Sequence, residues 1–267
     1  MRLHTVRVSA RRLARVASIA LVAGTVGGAA LLAAQAVAAR TRRYARPELG
    51  LGVRSSVGPV DAPALRLVLL GDSAALGVGV DRVQDTVGGQ LAELLTRDVE
   101  DRRIELSSVA VSGSRSVDLA TQVARALVNE RPDIAVILVG ANDAVGLRLP
   151  GQAAAHLAAA VRRLREAGVA VVVGTCPDLG AVRSVAPPLR QVVGWLGRRV
   201  ARAQARAVTR AGGVAVDLAA ETGPVFRADP GTLCHDGYHP SADGYRVWAH
   251  ALYPAVAAAA AAIPGRA

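Results

Sequence analysis

The chain has 267 residues, 52% of them hydrophobic, enough for one full-sized core or a core with a short appendage and too few for a second large domain. Its formal charge of +11 belongs to its N-terminal segment: positions 1–54 hold ten of the 32 basic residues and one acid, Glu48, leaving 22 basic against 20 acidic residues and a net +2 for the rest. A near-neutral body carries no electrostatic footprint for nucleic acid, and the absence of any lysine excludes Schiff-base catalysis, pyridoxal phosphate attachment and a lysine-type phosphate loop.

Residues 16–39 form a run of 24 uncharged, mostly apolar residues, with Arg11, Arg12 and Arg15 before it and Arg40, Arg42, Arg43 and Arg46 after it. At about 1.5 Å per residue a helix of this length spans a bilayer core of about 30 Å. Ala36-Val37-Ala38 also offers a small-residue cleavage pattern. Residues 1–40 are therefore read as a signal peptide or membrane anchor, with the body exported and either secreted or tethered to the cell membrane, the other reading being a body that faces the cytoplasm. Residues 41–64, with Pro47, Pro59 and Pro63 and no apolar periodicity, read as a linker. The domain proper is expected over 65–262.

Within it, compact Val/Ile/Leu-rich runs predict strands at 65–70, 104–111, 134–139, 169–174 and 213–218. Amphipathic segments predict helices at about 85–99, 116–130, 151–167, 189–211 and 241–262. Strands without polar alternation are expected where helices cover both faces of a parallel sheet. The alternation therefore predicts a flavodoxin-like three-layer α/β/α sandwich around a five-stranded parallel sheet. The helix at 189–211 carries Arg190, Arg198, Arg199, Arg202, Arg206 and Arg210; it is expected to pack its apolar stripe on the sheet, the other reading being a lipid-facing helix with Trp195 lining an acyl pocket.

In such a sheet ligands bind at the carboxyl ends of the strands, and the notable polar residues fall there. Ser73 follows the first strand in Gly71-Asp72-Ser73, Gly113 the second, and Asn142 with Asp143 the third, while Asp236 and His239 precede the last helix. A serine hydroxyl needs a general base; His239 is the best placed of the five histidines, and Asp236 three residues earlier can fix its tautomer. The Ser73 amide, the Asn142 side chain and the Gly113 amide can donate to a developing oxyanion, although Gly113 can equally serve as a turn glycine. Asp72 and Asp143 read as loop braces. No cluster of histidine, cysteine and carboxylate has metal-site spacing, so neither metal nor cofactor is expected. Cys176 and Cys234 fall at the same sheet edge and are open to a disulfide or to two free thiols.

Taken in order, Gly71-Asp72-Ser73, Gly113, Gly140-Ala141-Asn142-Asp143 and Asp236-x-x-His239-Pro240 resemble the blocks of the SGNH hydrolases, also called the GDSL esterase/lipase family. The resemblance covers roughly 65–250. It implies Ser73 as nucleophile, His239 as base, Asp236 as its orienting partner, and an oxyanion hole from Ser73, Gly113 and Asn142. Ala74 stands where the family often has leucine, at a packing position. The expectation is a monomeric serine esterase or lipase acting on a small-molecule or lipid ester, in contact with the membrane through its N-terminal segment. The other readings are an acyltransferase using the same triad on a cell-envelope sugar or lipid, and a noncatalytic envelope-binding module.

Overall fold

The computed structural model describes residues 27–39, 41–42, 44–47, 49, 53–98, 102–128 and 131–263. Residues 27–39 are helical. After them come β1 (Arg54–Val57), β2 (Ala64–Gly71), α1 (Ser73–Leu76), α2 (Val87–Asp98), β3 (Arg103–Ser108), α3 (Leu119–Val128), β4 (Ile134–Leu138) and α4 (Ala141–Val145). The remainder is α5 (Pro150–Glu166), β5 (Ala170–Gly174), α6 (Leu189–Arg210), β6 (Val214–Val216), α7 (Leu218–Ala228) and α8 (Ala242–Ala261).

Side-chain alternation along the central strands dictates the layers. In β2, Leu65, Leu67 and Leu69 enter one buried cluster, and Val68 and Leu70 another. In β4, Ile134, Val136 and Leu138 join the first, and Ala135 and Ile137 the second. Successive side chains leave opposite faces of a strand, so an unbroken apolar run needs cover on both. Helices α2, α7 and α8 supply it on one face; α3, α5 and the end of α6 supply it on the other. On the first face Tyr245 of α8 is fully buried, and its hydroxyl donates to the Val78 carbonyl at 2.7 Å.

The strand order is β1-β3-β2-β4-β5-β6, with β1 antiparallel to β3 and the rest parallel. From β2 the chain turns to β3 on one side and then crosses to β4 on the other. The carboxyl end of β2 is thus the topological switch point, where an open α/β sheet leaves a crevice for ligands.

Among the described residues the sheet has six strands rather than the expected five, and is mixed rather than wholly parallel. The extra strand, β1, lies inside the segment 41–64 read as a linker. Its sequence, Arg-Ser-Ser-Val, holds a single apolar residue and so gives no periodic signal, yet it pairs along β3 from Arg54 opposite Ser107 to Val57 opposite Ile104. A short, polar strand of this kind suits a sheet edge. The strand expected at 213–218 ends at Val216, because the Asp217 side chain accepts the Ala220 amide and caps α7. Gly223 and Pro224 inside α7 hid that helix from a propensity reading.

Helix α6 packs Val193, Gly194, Gly197, Val200 and Ala201 inward, while Trp195 is 47% exposed beneath the Arg199 guanidinium, 4.7 Å from its ring centre. No helix among the described residues is long and apolar enough to cross a membrane; the apolar run 16–39 lies outside them at 16–26.

Candidate active site

The site begins where β2 can no longer continue. Gly71 has φ +133°, and a Cβ there would stand 1.8 Å from the Leu138 carbonyl oxygen, so only glycine allows β2 to meet the end of β4 so closely. The next amide, of Asp72, donates to that same carbonyl at 3.0 Å. Asp72 then caps α1 by accepting the Ala74 amide at 3.0 Å, and Ser73 becomes the first residue of a one-turn helix. The Ser73 amide is thereby among the N–H groups that a helix start leaves without an intrahelical partner. Burial raises the Asp72 carboxyl to about 6.

His239 arrives on a tight loop. The Cys234 amide donates to the His239 carbonyl at 2.9 Å and the Gly237 amide to the Cys234 carbonyl at 3.0 Å. Inside this loop Asp236 Oδ1 accepts the amides of Tyr238 (2.7 Å) and His239 (2.9 Å), an Asx turn built on its own sequence neighbours. Asp236 Oδ2 lies 2.6 Å from His239 Nδ1, and His239 Nε2 lies 3.0 Å from Ser73 Oγ. The Ala45 amide, from far up the chain, also donates to Asp236 Oδ2 at 2.9 Å. Burial pulls the Asp236 carboxyl upward, but its bonds with the His239 ring and the amides of Ala45, His239 and Tyr238 outweigh that and hold it well below the ordinary carboxylate range. An ionised Asp236 can keep a proton on Nδ1 and leave Nε2 to accept the serine proton.

Asn142 lies on α4, and its Nδ2 donates to the Ser114 carbonyl at 2.9 Å, which leaves its second amide hydrogen for a ligand. Ser73, Asn142 and His239 line one pocket. Its remaining wall is mainly apolar, with Leu179, Val182, Phe226, Leu233 and Trp248 among the contributors. Trp248, not Trp195, is the tryptophan in that wall. Gly113 is not among the residues that line the pocket. It is exposed, has φ +81°, and belongs to a turn closed by the Ser114 amide on the Val111 carbonyl at 3.1 Å; Asn142 grips that turn through Ser114. Asp143 accepts the Ser116 amide (2.9 Å) and hydroxyl (2.8 Å), the bracing role its position suggested.

Two buried glutamines that sequence reasoning passed over hold these loops together. Gln122 of α3 accepts the Gly71 amide at 2.7 Å and donates to the Gly71 carbonyl (2.9 Å) and the Ser114 hydroxyl (3.0 Å). Gln204 of α6 accepts the Cys176 amide at 2.8 Å and donates to the Val139 carbonyl at 2.9 Å. Polar residues recurring on the apolar face of a helix were the available signal. Cys176 and Cys234 are free thiols. Cys234 donates to Asp236 Oδ1 at 3.2 Å, and burial pushes its thiol up to about 11, which keeps it a donor at neutral pH. Among the described residues no group of histidine, cysteine and carboxylate side chains is arranged to hold a metal ion.

Three comparisons bear on this arrangement. The model of the GDSL-like lipase/acylhydrolase family matches residues 69–247. The GDSL-like esterase Rv1075c of Mycobacterium tuberculosis is 40% identical over 243 residues, covering 86% of this chain and 77% of that protein. In the solved structures, a lipase/acylhydrolase from Enterococcus faecalis aligns with TM-score 0.56 at 21% identity, covering 76% of this chain and all of that one (100%). An acetyl xylan esterase from Geobacillus stearothermophilus aligns with TM-score 0.54 at 20% identity, covering 73% of this chain and 95% of that one. The last two speak for the fold, the family model spans the sequence blocks that carry Ser73, Asn142, Asp236 and His239, and the relative shares two fifths of its aligned residues: the chain belongs to the GDSL-like lipase/acylhydrolase family of ester-hydrolysing enzymes.

Proposed function

We propose that the chain hydrolyses a carboxylic ester through an acyl-enzyme on Ser73. The observation that carries this reading is the unbroken line from Ser73 Oγ to His239 Nε2 and from His239 Nδ1 to Asp236 Oδ2, at 3.0 and 2.6 Å. Ser73 Oγ attacks the ester carbonyl carbon while its proton passes to His239 Nε2, and the carbonyl oxygen becomes an oxyanion. The Ser73 amide and the free Asn142 amide hydrogen receive that charge. Collapse breaks the bond to the alcohol oxygen, which leaves with the proton from His239. Water then adds to the acyl-enzyme, giving its proton to His239, and the second collapse releases the acid and returns a proton to Ser73 Oγ.

The acyl group belongs in the apolar pocket beside Ser73, because an acyl chain gains most by leaving water there. Export of this activity, secreted or tethered, is part of the same reading and is supported by the arginine-flanked apolar run at 16–39. The test is hydrolysis of a short p-nitrophenyl ester together with labelling by a fluorophosphonate. Wild type is expected to turn over and label at one serine, and Ser73→Ala to do neither; equal turnover by the two would refute the assignment.

A further inference from the structure

The segment ahead of the domain makes contacts that a mere connection does not need. Gln35, in the helical stretch 27–39, forms a reciprocal pair with the chain before α6: its Nε2 donates to the Pro187 carbonyl at 2.7 Å, and the Leu189 amide donates to its Oε1 at 3.1 Å. Arg42 Nη1 next donates to the Ser184 carbonyl at 2.5 Å. Both contacts fall on the 184–189 stretch, whose first residue, Ser184, donates its amide to the Gly237 carbonyl (3.0 Å) in the middle of the His239 loop. Tyr44 then closes on the site. Its hydroxyl donates back to the Ala39 carbonyl at 2.9 Å, and its ring stands edge-on to Tyr238 at 5.3 Å and to His239 at 6.3 Å.

Ala45 completes the approach by giving its amide hydrogen to Asp236 Oδ2. The two carboxylate oxygens differ in how they are held. Oδ1 has two backbone amides and the Cys234 thiol, all from its own loop. Oδ2, the oxygen that meets His239, has for its other donor only Ala45 among the described residues.

We propose that Tyr44 and Ala45 are positioning residues of the esterase: a strap whose backbone amide fixes the Asp236 carboxylate and whose aromatic ring packs His239 in place. This rests on the reading of Ser73, His239 and Asp236 as the catalytic triad. The functional unit therefore begins before the domain that the family pattern delimits, near residue 42. Without the Ala45 amide, Oδ2 must recruit water or turn, and a displacement of about 1 Å in a base-orienting group costs up to roughly a hundredfold in rate.

The test compares full-length Ala45→Pro, which removes the N–H, with Ala45→Gly, which restores it, on a p-nitrophenyl ester. The expected result is a kcat about tenfold lower for Ala45→Pro, with KM within about twofold and an unchanged Tm, and turnover recovered in Ala45→Gly. Wild-type kcat in folded Ala45→Pro, or an equal loss in Ala45→Gly, overturns the proposal. Should Ala45→Pro fail to fold, Tyr44→Ala and Tyr44→Phe decide: a kcat lowered in Tyr44→Ala and recovered in Tyr44→Phe supports the strap, and wild-type kcat in Tyr44→Ala overturns it. Ser73→Ala, run alongside, separates the two readings. Full activity in Ser73→Ala sinks the triad itself, whereas an inactive Ser73→Ala beside a fully active Ala45→Pro sinks only the strap.

Discussion

Asn142 shows how much one side chain is asked to do. Its amide gives one hydrogen to the Ser114 carbonyl, which leaves the second for the substrate oxygen in the mechanism we propose. Asn142→Ala is expected to lower kcat about a hundredfold, the usual loss for one oxyanion donor, with a far smaller change in KM. Steady-state kinetics on the p-nitrophenyl ester checks this, and a rise in KM with kcat intact would move Asn142 from the transition state to simple binding. Asp236 and Asp72 make a related contrast, since both are carboxylates beside the same histidine. The His239 ring and the amides of Ala45, His239 and Tyr238 keep Asp236 ionised, whereas burial, opposed by one helix-capping bond, lifts Asp72 to about 6.

At the scale of elements, the central strands were the easiest part of the chain to read. The run Leu67-Val68-Leu69-Leu70 has no polar alternation because both faces of β2 are covered, and that made its position, and hence the place of Ser73 at its end, legible. Ile137 of β4 carries the same logic into energetics. It is fully buried in the cluster under α3 and α5, away from the pocket. Ile137→Ala is expected to destabilise by about 3 kcal/mol in urea unfolding while leaving kcat of the folded enzyme within about twofold. Elements whose cause is not a side-chain pattern stayed hidden. β1 exists because β3 has an open edge, and Ala45 matters through a backbone amide that every residue but proline possesses. Gln122 and Gln204 read as interruptions of apolar helix faces until the carbonyls and amides they meet were in view.

For the whole molecule, the two carboxylates pull stability in opposite directions with pH. The Asp236 carboxyl is depressed in the fold, so its contribution is present above the ordinary value of 3.8 and is lost as the solution is acidified below it. The Asp72 carboxyl is raised, so its contribution is complete below 3.8 and is lost as pH climbs through about 6. Asp72→Asn, which keeps an oxygen for the Ala74 amide and cannot ionise, is expected to be more stable than wild type at pH 8 by up to about 3 kcal/mol and to gain nothing at pH 3.5. Urea midpoints at the two pH values check it, and an equal effect at both would show that ionisation of Asp72 has no part in the difference. The two glutamines carry a further consequence at this scale. Both reach the site from the same helix layer, and between them they clamp the ends of β2 and β4, the Ser114 turn and the chain after β5. The pocket residues Phe226, Leu233 and Trp248 pack with α7 and α8 on the other face of the sheet. Two amide side chains thus tie the loops at Gly71, Ser114, Val139 and Cys176 to a single helix layer, so the loop geometry of the candidate site is set from behind the sheet.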